Sequence, residues 1–192
     1  MLSDPIALGL VPDEARGSLP FALIYGEPLI AAATFAVEAA GITVLDPRTE
    51  WATIVDTDLP VLLHDPLCPL TPSPFLGEAV EVALESDEVV VGMRPVTDTI
   101  KVDLGDRLGA TVDRSSLREV TSPIVLPARV VAALGALPTG DFSEILAAVG
   151  SFGVREIEAP ALSRRIRTAD DLPLLEALGR PSGSEQELLG HR

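Results

Sequence analysis

The chain is poor in cysteine, lysine and aromatic residues, and each scarcity restricts what the protein can be. A single cysteine, Cys68, excludes an internal disulfide and fits a reducing compartment. Aromatic residues make up 4% and hydrophobic residues 47% of the chain, so a core must be built from alanine, valine, leucine and isoleucine. Basic residues are also outnumbered, 14 against 29 acidic ones, which gives a net charge of −15 and argues against a nucleic-acid partner.

Long apolar runs are missing as well. No stretch approaches the roughly 20 residues that a membrane span requires. Residues 1–17 lack the basic start and apolar run of a signal peptide. We therefore expect a cytoplasmic protein with no membrane partner. The length of 192 residues predicts one domain at 1–180, followed by a frayed polar tail at 181–192.

Strand-like and helical segments alternate along the chain, which indicates an α/β fold with a largely parallel sheet. Strands are predicted at 6–11, 42–45, 60–64, 89–91 and 154–158. Helices are predicted at 29–40, 76–84, 127–137, 141–149 and 168–179. Residues 95–122 differ because they are polar and extended, and we expect either a long loop or an arm that packs on a second subunit.

The segment 89–127 carries groups that would bind a phosphate. It contains the only lysine of the chain together with an arginine and hydroxyl side chains, namely Lys101, Arg114, Thr99 and Ser122. Arginine offers a two-pronged donor, lysine a point charge, and hydroxyls adjustable donors. Pro123, directly after Ser122, is expected to end local structure.

The order of residues in this segment resembles the arm and substrate loop of the 2-C-methyl-D-erythritol 4-phosphate cytidylyltransferases. The runs RPVTDTIK at 94–101 and TVDR at 111–114 follow that family almost residue for residue, and Ser122-Pro123 stands for its Thr-Pro. The resemblance covers 60–192 well and 1–41 in outline. It implies a three-layer α/β/α sandwich of the nucleotidyltransferase type, with a mostly parallel sheet and a projecting β-arm at about 95–122.

The resemblance also implies roles for individual residues. Thr99, Arg114 and Ser122 would bind methylerythritol phosphate, partly across a dimer, while Lys101 remains a substrate-binding candidate because of its charge. Arg165, in the run SRRIRT at 163–168, stands in for a substrate lysine of the family, so that it is both a catalytic and a substrate-binding candidate.

Two more candidates come from segments that resemble the family less closely. Arg16 is the one cation near the predicted triphosphate loop and is the second catalytic candidate. Asp65, in the run HDPLCP at 64–69, matches an acidic motif residue that would hold Mg²⁺ if the protein is active. The other interpretation of Asp65 is a helix or turn cap.

The nucleotide half of the site departs from the family pattern. Phe21 occupies the place of a lysine, and the preceding loop contains Asp13 and Glu14, which oppose phosphate binding. No Gly-Gly-x-x-Arg-x-x-Ser run, which the family uses to hold the base, lies at 42–59. Cys68 replaces a motif arginine and is interpreted as a packed residue rather than a nucleophile.

Together these features predict a divergent cytidylyltransferase of isoprenoid precursor synthesis that transfers CMP from CTP weakly or not at all. One alternative is a non-catalytic paralogue that binds a phosphorylated metabolite or a partner subunit. Another is a purely structural dimer. We expect a homodimer through the arm, and the other arrangement is a heterodimer with an intact relative that supplies the missing nucleotide loop.

Overall fold

The computed structural model describes residues 5–96, 101–103, 105, 108–115 and 117–180. Its strands are β1 (Leu8–Leu10), β2 (Leu23–Ile24), β3 (Glu27–Pro28), β4 (Thr43–Val44), β5 (Val61–Leu63), β6 (Val89–Pro95), β7 (Lys101–Asp103), β8 (Leu108–Thr111), β9 (Arg118–Leu126) and β10 (Val154–Glu158). Its α-helices are α1 (Leu29–Ala39), α2 (Trp51–Val55), α3 (Ser73–Ser86), α4 (Ala128–Ala133), α5 (Phe142–Val149) and α6 (Leu172–Gly179). Short 3₁₀ turns lie at Leu19–Phe21, Gly150–Phe152, Ala161–Ser163 and Ala169–Asp171.

A six-stranded sheet in the order β10-β6-β9-β5-β1-β4 forms the centre of the molecule. Neighbouring strands are parallel except at β9, which runs antiparallel to both β5 and β6. Parallel neighbours need crossover connections, and helices supply most of them. The predicted α/β fold with a mostly parallel sheet is confirmed.

Alternate residues of the central strands enter two separate apolar cores, one on each face of the sheet. Val61 and Leu63 pack with buried residues of α2, α4 and α5. Leu62 points the other way and packs with α1 and α3. Because these strands are buried on both faces, their sequences read as continuous apolar runs. Helices on both faces of one sheet make the three layers that the sequence predicts.

A smaller apolar cluster fastens the C-terminal helix to the site region. Leu175 of α6 packs there with Ile166 and with Leu67 from the loop after β5. The backbone amide of Ile166 also donates to the carbonyl of Leu67 at 2.7 Å. These contacts therefore hold the loop after β5 and the segment before α6 in a fixed relation to each other.

The expectation that Pro123 ends local structure is wrong. Strand β9 continues through it, the Ser122-Pro123 peptide bond is cis, and the pairing of β6 with β9 shifts register around Gly92. A Cβ at Gly92 would lie 2.6 Å from the carbonyl oxygen of Ser122, so only glycine allows this close approach. A proline is tolerated within a sheet at such an irregularity.

The arm segment contains an antiparallel hairpin of β7 and β8, in which Lys101 is opposite Thr111. At its base, the amide of Val96 donates to the carbonyl of Leu117 at 3.4 Å. Residues 97–100, which include Thr99, lie outside the described residues, as does the tail at 181–192. Within the part of the chain that is described, no helix is both long enough and apolar enough to cross a membrane.

Candidate anion-binding site

The candidate site lies at the carboxyl end of β5, the edge where open parallel sheets bind ligands. The amide of His64 donates to the carbonyl of Leu10 at 2.9 Å and so continues the pairing of β5 with β1 by one residue. Asp65 follows immediately and is fully buried. Its position is fixed by the end of the strand rather than by a free loop.

Asp65 is held between two arginines, one from each side. Its Oδ1 accepts from Nε of Arg16 at 2.9 Å and from the amide of Leu67 at 3.0 Å. Its Oδ2 accepts from Nε of Arg165, also at 2.9 Å. The side chains of Arg16 and Asp65 are each 1% exposed, whereas that of Arg165 is 25% exposed. These three residues, called the ion triad below, extend from the interior to the surface.

The ion triad is charged at neutral pH. Burial alone would raise the pKa of Asp65, but the charge of Arg16, the hydrogen bond and charge of Arg165 and the Leu67 amide hold it below its usual value. Burial alone would lower the pKa of Arg165, but the hydrogen bond and charge of Asp65 raise it. Because two guanidinium groups face one carboxylate, the ion triad carries one net positive charge.

Arg16 reaches Asp65 because the loop after β1 turns it inward. Its neighbours Ala15 and Gly17 both have left-handed backbone, with φ of 61° and 58°. Its Nη1 donates to the carbonyl of Glu14, and its Cζ lies 5.5 Å from the ring centroid of Phe142. Its Nη2 is buried with no hydrogen-bond partner in the described part of the protein. The interior therefore contains a charged group whose Nη2 donors are still available for hydrogen bonds.

His64 and Ser122 form a layer beneath Asp65, and both are fully buried. Nδ1 of His64 is hydrogen-bonded to Oγ of Ser122, and this Oγ also accepts from the amide of Asp65 at 3.1 Å. Burial lowers the pKa of His64 to about 4, although the charge of Asp65 opposes this, so the ring is neutral at pH 7. Ser122, predicted to bind substrate phosphate, thus lies behind Asp65 and supports its backbone.

A cavity of about 290 Å³, called the Arg165 pocket below, opens in front of the ion triad. Charged residues dominate its wall, together with the aromatic ring that faces Arg16: Arg118, Glu119, Asp141, Phe142, Arg165 and Arg167. Arg167 pairs with Glu119 at 2.6 Å. Asp141 caps α5 and accepts from the amides of Ser143 and Glu144.

Arg118 makes no ion pair within the described residues. Glu119 is neutralised by Arg167, whereas Asp141 accepts only backbone amides and keeps its negative charge. The wall and the ion triad together therefore carry one net positive charge, which favours an anion in the Arg165 pocket.

The loop after β1 borders a second and much smaller cavity of about 70 Å³. Its wall includes Asp13 and Glu14 on one side and Thr139 and Gly140 on the other. Phe21, which stands where the family has a lysine, is 57% exposed on its 3₁₀ turn. This side of the site offers two carboxylates and little volume.

The structure brings some of the sequence-predicted site residues together and leaves others apart. Arg16, Asp65, Ser122 and Arg165 meet at the ion triad and the layer beneath it. Lys101 and Arg114 are exposed on the arm, and neither lines the Arg165 pocket within the described chain. Cys68 is fully buried, and burial and the Asp65 charge raise its pKa well above the usual value, as expected of a packed residue.

Sequence reasoning missed the roles of two residues in the Arg165 pocket. Arg118 begins β9, and it lines the pocket together with the next two residues, Glu119 and Val120. Phe142 opens α5 just after Asp141, whose capping box with Glu144 is a readable sequence signature of a helix start. The capping box was the signal that could have located Phe142, and the sequence carries no comparable signal for Arg118.

The sheet order and the three layers are those of an α/β nucleotidyltransferase-type fold. Residues 48–179 match the sequence model of the family described as 2-C-methyl-D-erythritol 4-phosphate cytidylyltransferase. Because the match spans more than half of the chain, the protein belongs to this family.

Curated relatives agree with the family assignment. The 2-C-methyl-D-erythritol 4-phosphate cytidylyltransferase of Bacillus velezensis is 30% identical over 132 residues, which cover 65% of this chain and 56% of the relative. The enzyme of the same name from Saccharopolyspora erythraea is 34% identical over 123 residues, which cover 62% and 54%. The chain thus spans about half the length of these curated relatives.

Solved structures agree on the fold. The 2-C-methyl-D-erythritol 4-phosphate cytidylyltransferase of Thermus thermophilus has a TM-score of 0.66 at 22% identity, over 91% of this chain and 98% of that chain. A 4-diphosphocytidyl-2C-methyl-D-erythritol synthase has a TM-score of 0.69 at 20% identity, with the same shares of the two chains. At such identities the likeness bears on the fold alone.

Enzymes of this family generally use a divalent metal cation, but the residues around Asp65 do not fit one. Both carboxylate oxygens of Asp65 are bonded to arginines. Across the described ranges of the chain, no group of three histidine, cysteine, aspartate or glutamate side chains could hold a metal ion. Mg²⁺ requires oxygen ligands in a near-octahedral arrangement. The side chains described here provide guanidinium groups instead.

Proposed function

We propose that this protein is a divergent cytidylyltransferase that binds a phosphorylated metabolite in the Arg165 pocket and transfers cytidylyl groups weakly or not at all. The family reaction moves CMP from CTP to 2-C-methyl-D-erythritol 4-phosphate and releases pyrophosphate, as a step of isoprenoid precursor synthesis. One contrast supports the proposal: the Arg165 pocket is open and has three arginines and two carboxylates in its wall, whereas the cavity after β1 is small and has two carboxylates and no arginine. We assign the first to the acceptor phosphate and the second to the nucleotide.

The acceptor side has the size and charge that a small phosphate ester requires. Its volume of about 290 Å³ is near the lower end of ordinary ligand pockets, at roughly 300 Å³. Arg165 is fixed through Nε by Asp65, which leaves the terminal nitrogens of its guanidinium to face a ligand. Guanidinium groups bind phosphate oxygens through paired N–H donors. A local excess of arginine in a protein of net charge −15 favours a specific anion site.

The nucleotide side lacks what a triphosphate needs. The cavity of about 70 Å³ after β1 is several times smaller than an ordinary ligand pocket, and Asp13 and Glu14 in its wall would repel phosphate. Arg16, the cation nearest this loop, is bonded to Asp65. The segment between α1 and β5, where the base-binding run is missing, contains only the two-residue β4 and the five-residue α2.

A homodimer through the arm is part of the proposal. Lys101 and Arg114 are exposed and lie outside the Arg165 pocket of their own chain. An arm that crosses to a second subunit would bring both cations to the partner's pocket. Deletion of residues 97–116 should then convert the dimer into a monomer in light scattering and weaken binding of the sugar phosphate. A heterodimer with an intact relative would instead leave the purified protein monomeric.

The central test compares ligands in thermal unfolding. Methylerythritol phosphate without CTP should raise the melting temperature, whereas CTP with Mg²⁺ should not. At 100 times its Kd a ligand stabilises by about 2.7 kcal/mol, which for a domain of this size is a shift of roughly 5–10 °C. The Arg165→Met variant should lose the shift. Arg48→Met, at an exposed arginine with no ion pair among the described residues, should keep it.

A pyrophosphate-release assay with CTP, Mg²⁺ and methylerythritol phosphate completes the test. We expect release far below that of an intact family member measured in parallel. Turnover comparable to the intact enzyme would contradict the weak-transfer part of the proposal. No response to either ligand in the thermal assay would contradict the binding part and would favour a structural dimer.

A further inference from the structure

We infer that Arg16 takes the place of the divalent cation beside Asp65, so that the Arg165 pocket binds oxyanions of the phosphate type without a metal ion. This inference deepens the proposed function and rests on it for the class of ligand. It concerns the source of the positive charge in the site, which the family resemblance had assigned to Mg²⁺ on Asp65.

The geometry around Asp65 opposes a cation, because a guanidinium lies beside each carboxylate oxygen. Arg16 and Arg165 each donate through Nε at 2.9 Å, one to each carboxylate oxygen, and Leu67 adds a backbone donor to Oδ1. Mg²⁺ would have to approach an oxygen to about 2.0–2.1 Å, and it would then lie against a guanidinium of the same sign.

Moving Arg16 aside is also unfavourable. Its side chain is 1% exposed, and both its bonded donors are satisfied by Asp65 and by the Glu14 carbonyl. A metal ion that displaced it would leave a buried guanidinium without its carboxylate, and an unpaired buried charge strongly destabilises the folded protein. The bound arginine is therefore the stable occupant of this position.

The ion triad supplies the same net charge as the metal centre it replaces. A carboxylate with one divalent cation carries one net positive charge, and so does a carboxylate with two guanidinium groups. The triad is largely buried, so its charge is poorly screened and acts on the neighbouring Arg165 pocket. A phosphate ester would meet a positive site of similar strength in either case.

Two contacts connect Arg16 to the Arg165 pocket. The ring of Phe142 lines the pocket, and the Cζ of Arg16 lies 5.5 Å from the centroid of this ring. Arg165 lines the pocket as well and shares Asp65 with Arg16. The buried Nη2 of Arg16 has no partner in the described part of the protein, which marks a donor that the fold itself does not use.

The first experiment titrates Mn²⁺ into the protein and follows free Mn²⁺ by electron paramagnetic resonance. The wild type and the Asp65→Asn variant should bind the same number of Mn²⁺ ions with the same affinity, because Asp65 is not a ligand. A site present in the wild type and lost in Asp65→Asn would overturn the inference. Circular dichroism and melting curves would show whether the variant is folded.

A second measurement needs no variant and stands if Asp65→Asn fails to fold. Inorganic phosphate is titrated by calorimetry into the wild type, once with EDTA and once with Mg²⁺. The Kd measured with EDTA and the Kd measured with Mg²⁺ should agree within about twofold, which corresponds to about 0.4 kcal/mol. Phosphate binding that appears only with Mg²⁺ would overturn the inference and leave the proposed function intact.

Arg16 itself provides the matched comparison. Arg16→Met should weaken phosphate binding in EDTA by about tenfold, the effect of about 1.4 kcal/mol, and Arg48→Met should leave it unchanged. An unchanged Kd in a folded Arg16→Met variant would show that Arg16 does not supply the charge. If phosphate binds under no condition, the proposed function fails, and the Mn²⁺ titration alone decides whether Asp65 holds a metal.

Discussion

The buried histidine beneath the ion triad predicts how the stability of the protein depends on pH. Burial lowers the pKa of His64 to about 4 in the folded protein, from 6.5 in an unfolded chain. As pH falls below about 6.5 the unfolded chain gains a proton that the folded protein does not take up until about pH 4. The free energy of unfolding must therefore decrease across this window.

The size of the effect follows from the difference of about 2.5 pKa units. Each unit corresponds to 1.36 kcal/mol, so the limiting loss is about 3.4 kcal/mol, of which about 2 kcal/mol is already reached at pH 5. Asp65 adds little within this window. Its pKa is lowered in the folded state, so the stability that it contributes is lost only as pH falls below about 4.

The assay is urea unfolding of the wild type and of His64→Asn between pH 7.5 and 4.5. Asparagine places an amide near Nδ1 of the histidine, so that Ser122 keeps a hydrogen-bond partner. The difference in unfolding free energy between the two proteins cancels the titration of the many surface carboxylates. That difference should shift by about 2–3 kcal/mol in favour of the variant as pH falls.

His191→Asn, at the other histidine of the chain, is the control. A difference between wild type and His64→Asn that stays flat from pH 7.5 to 4.5 would refute the reasoning, because it would mean that His64 titrates alike in both states. If the difference between wild type and His191→Asn changed equally with pH, the effect would have to be assigned to His191 instead of His64.

Three further predictions concern single positions. Gly92→Ala should destabilise by about 2–4 kcal/mol in urea unfolding, because its Cβ would lie 2.6 Å from the Ser122 carbonyl oxygen. Gly77→Ala is the control, with no atom within 4 Å of its Cβ, and should be neutral or stabilising by up to about 1 kcal/mol. Cys68 should react with a thiol reagent only at the rate of unfolding, because it is buried and its pKa is raised; rapid labelling of the native protein would contradict this. Asp141→Ala should cost about 1–2 kcal/mol, because it removes the capping box of α5, and an unchanged urea midpoint would count against that cap.

Elements with a strong local pattern were predictable from the sequence. The alanine-rich run of α1 and the apolar run of β5 lie where expected, within a residue or two at each end. Helix α2 was missed because five residues are too few to show helical periodicity. The prediction at Pro123 was wrong because local rules keep proline out of central strands. Here β9 approaches Gly92 of β6 too closely for any side chain there, and this approach is visible only once the two strands are paired.

The candidate site was predictable in part. Asp65 and Arg165 were identified through the family resemblance, and the structure shows them bonded to each other. The inward turn of Arg16 was not predictable, because it needs left-handed backbone at Ala15, where no sequence rule expects it. The burial of Ser122 likewise depends on the register of β9 against β6, which is a property of the sheet.

The small cluster that joins α6 to the loop after β5 makes the site depend on contacts between distant parts of the chain. Arg16, Asp65 and Arg165 are separated by 49 and 100 residues along the chain, and the segment carrying Arg165 is fastened by Ile166 and Leu175. During synthesis, Asp65 can acquire its second arginine only after the chain has been made past residue 165. Until that point Asp65 has at most one arginine partner, so the anion site depends on a segment that is synthesised about 100 residues after the carboxylate.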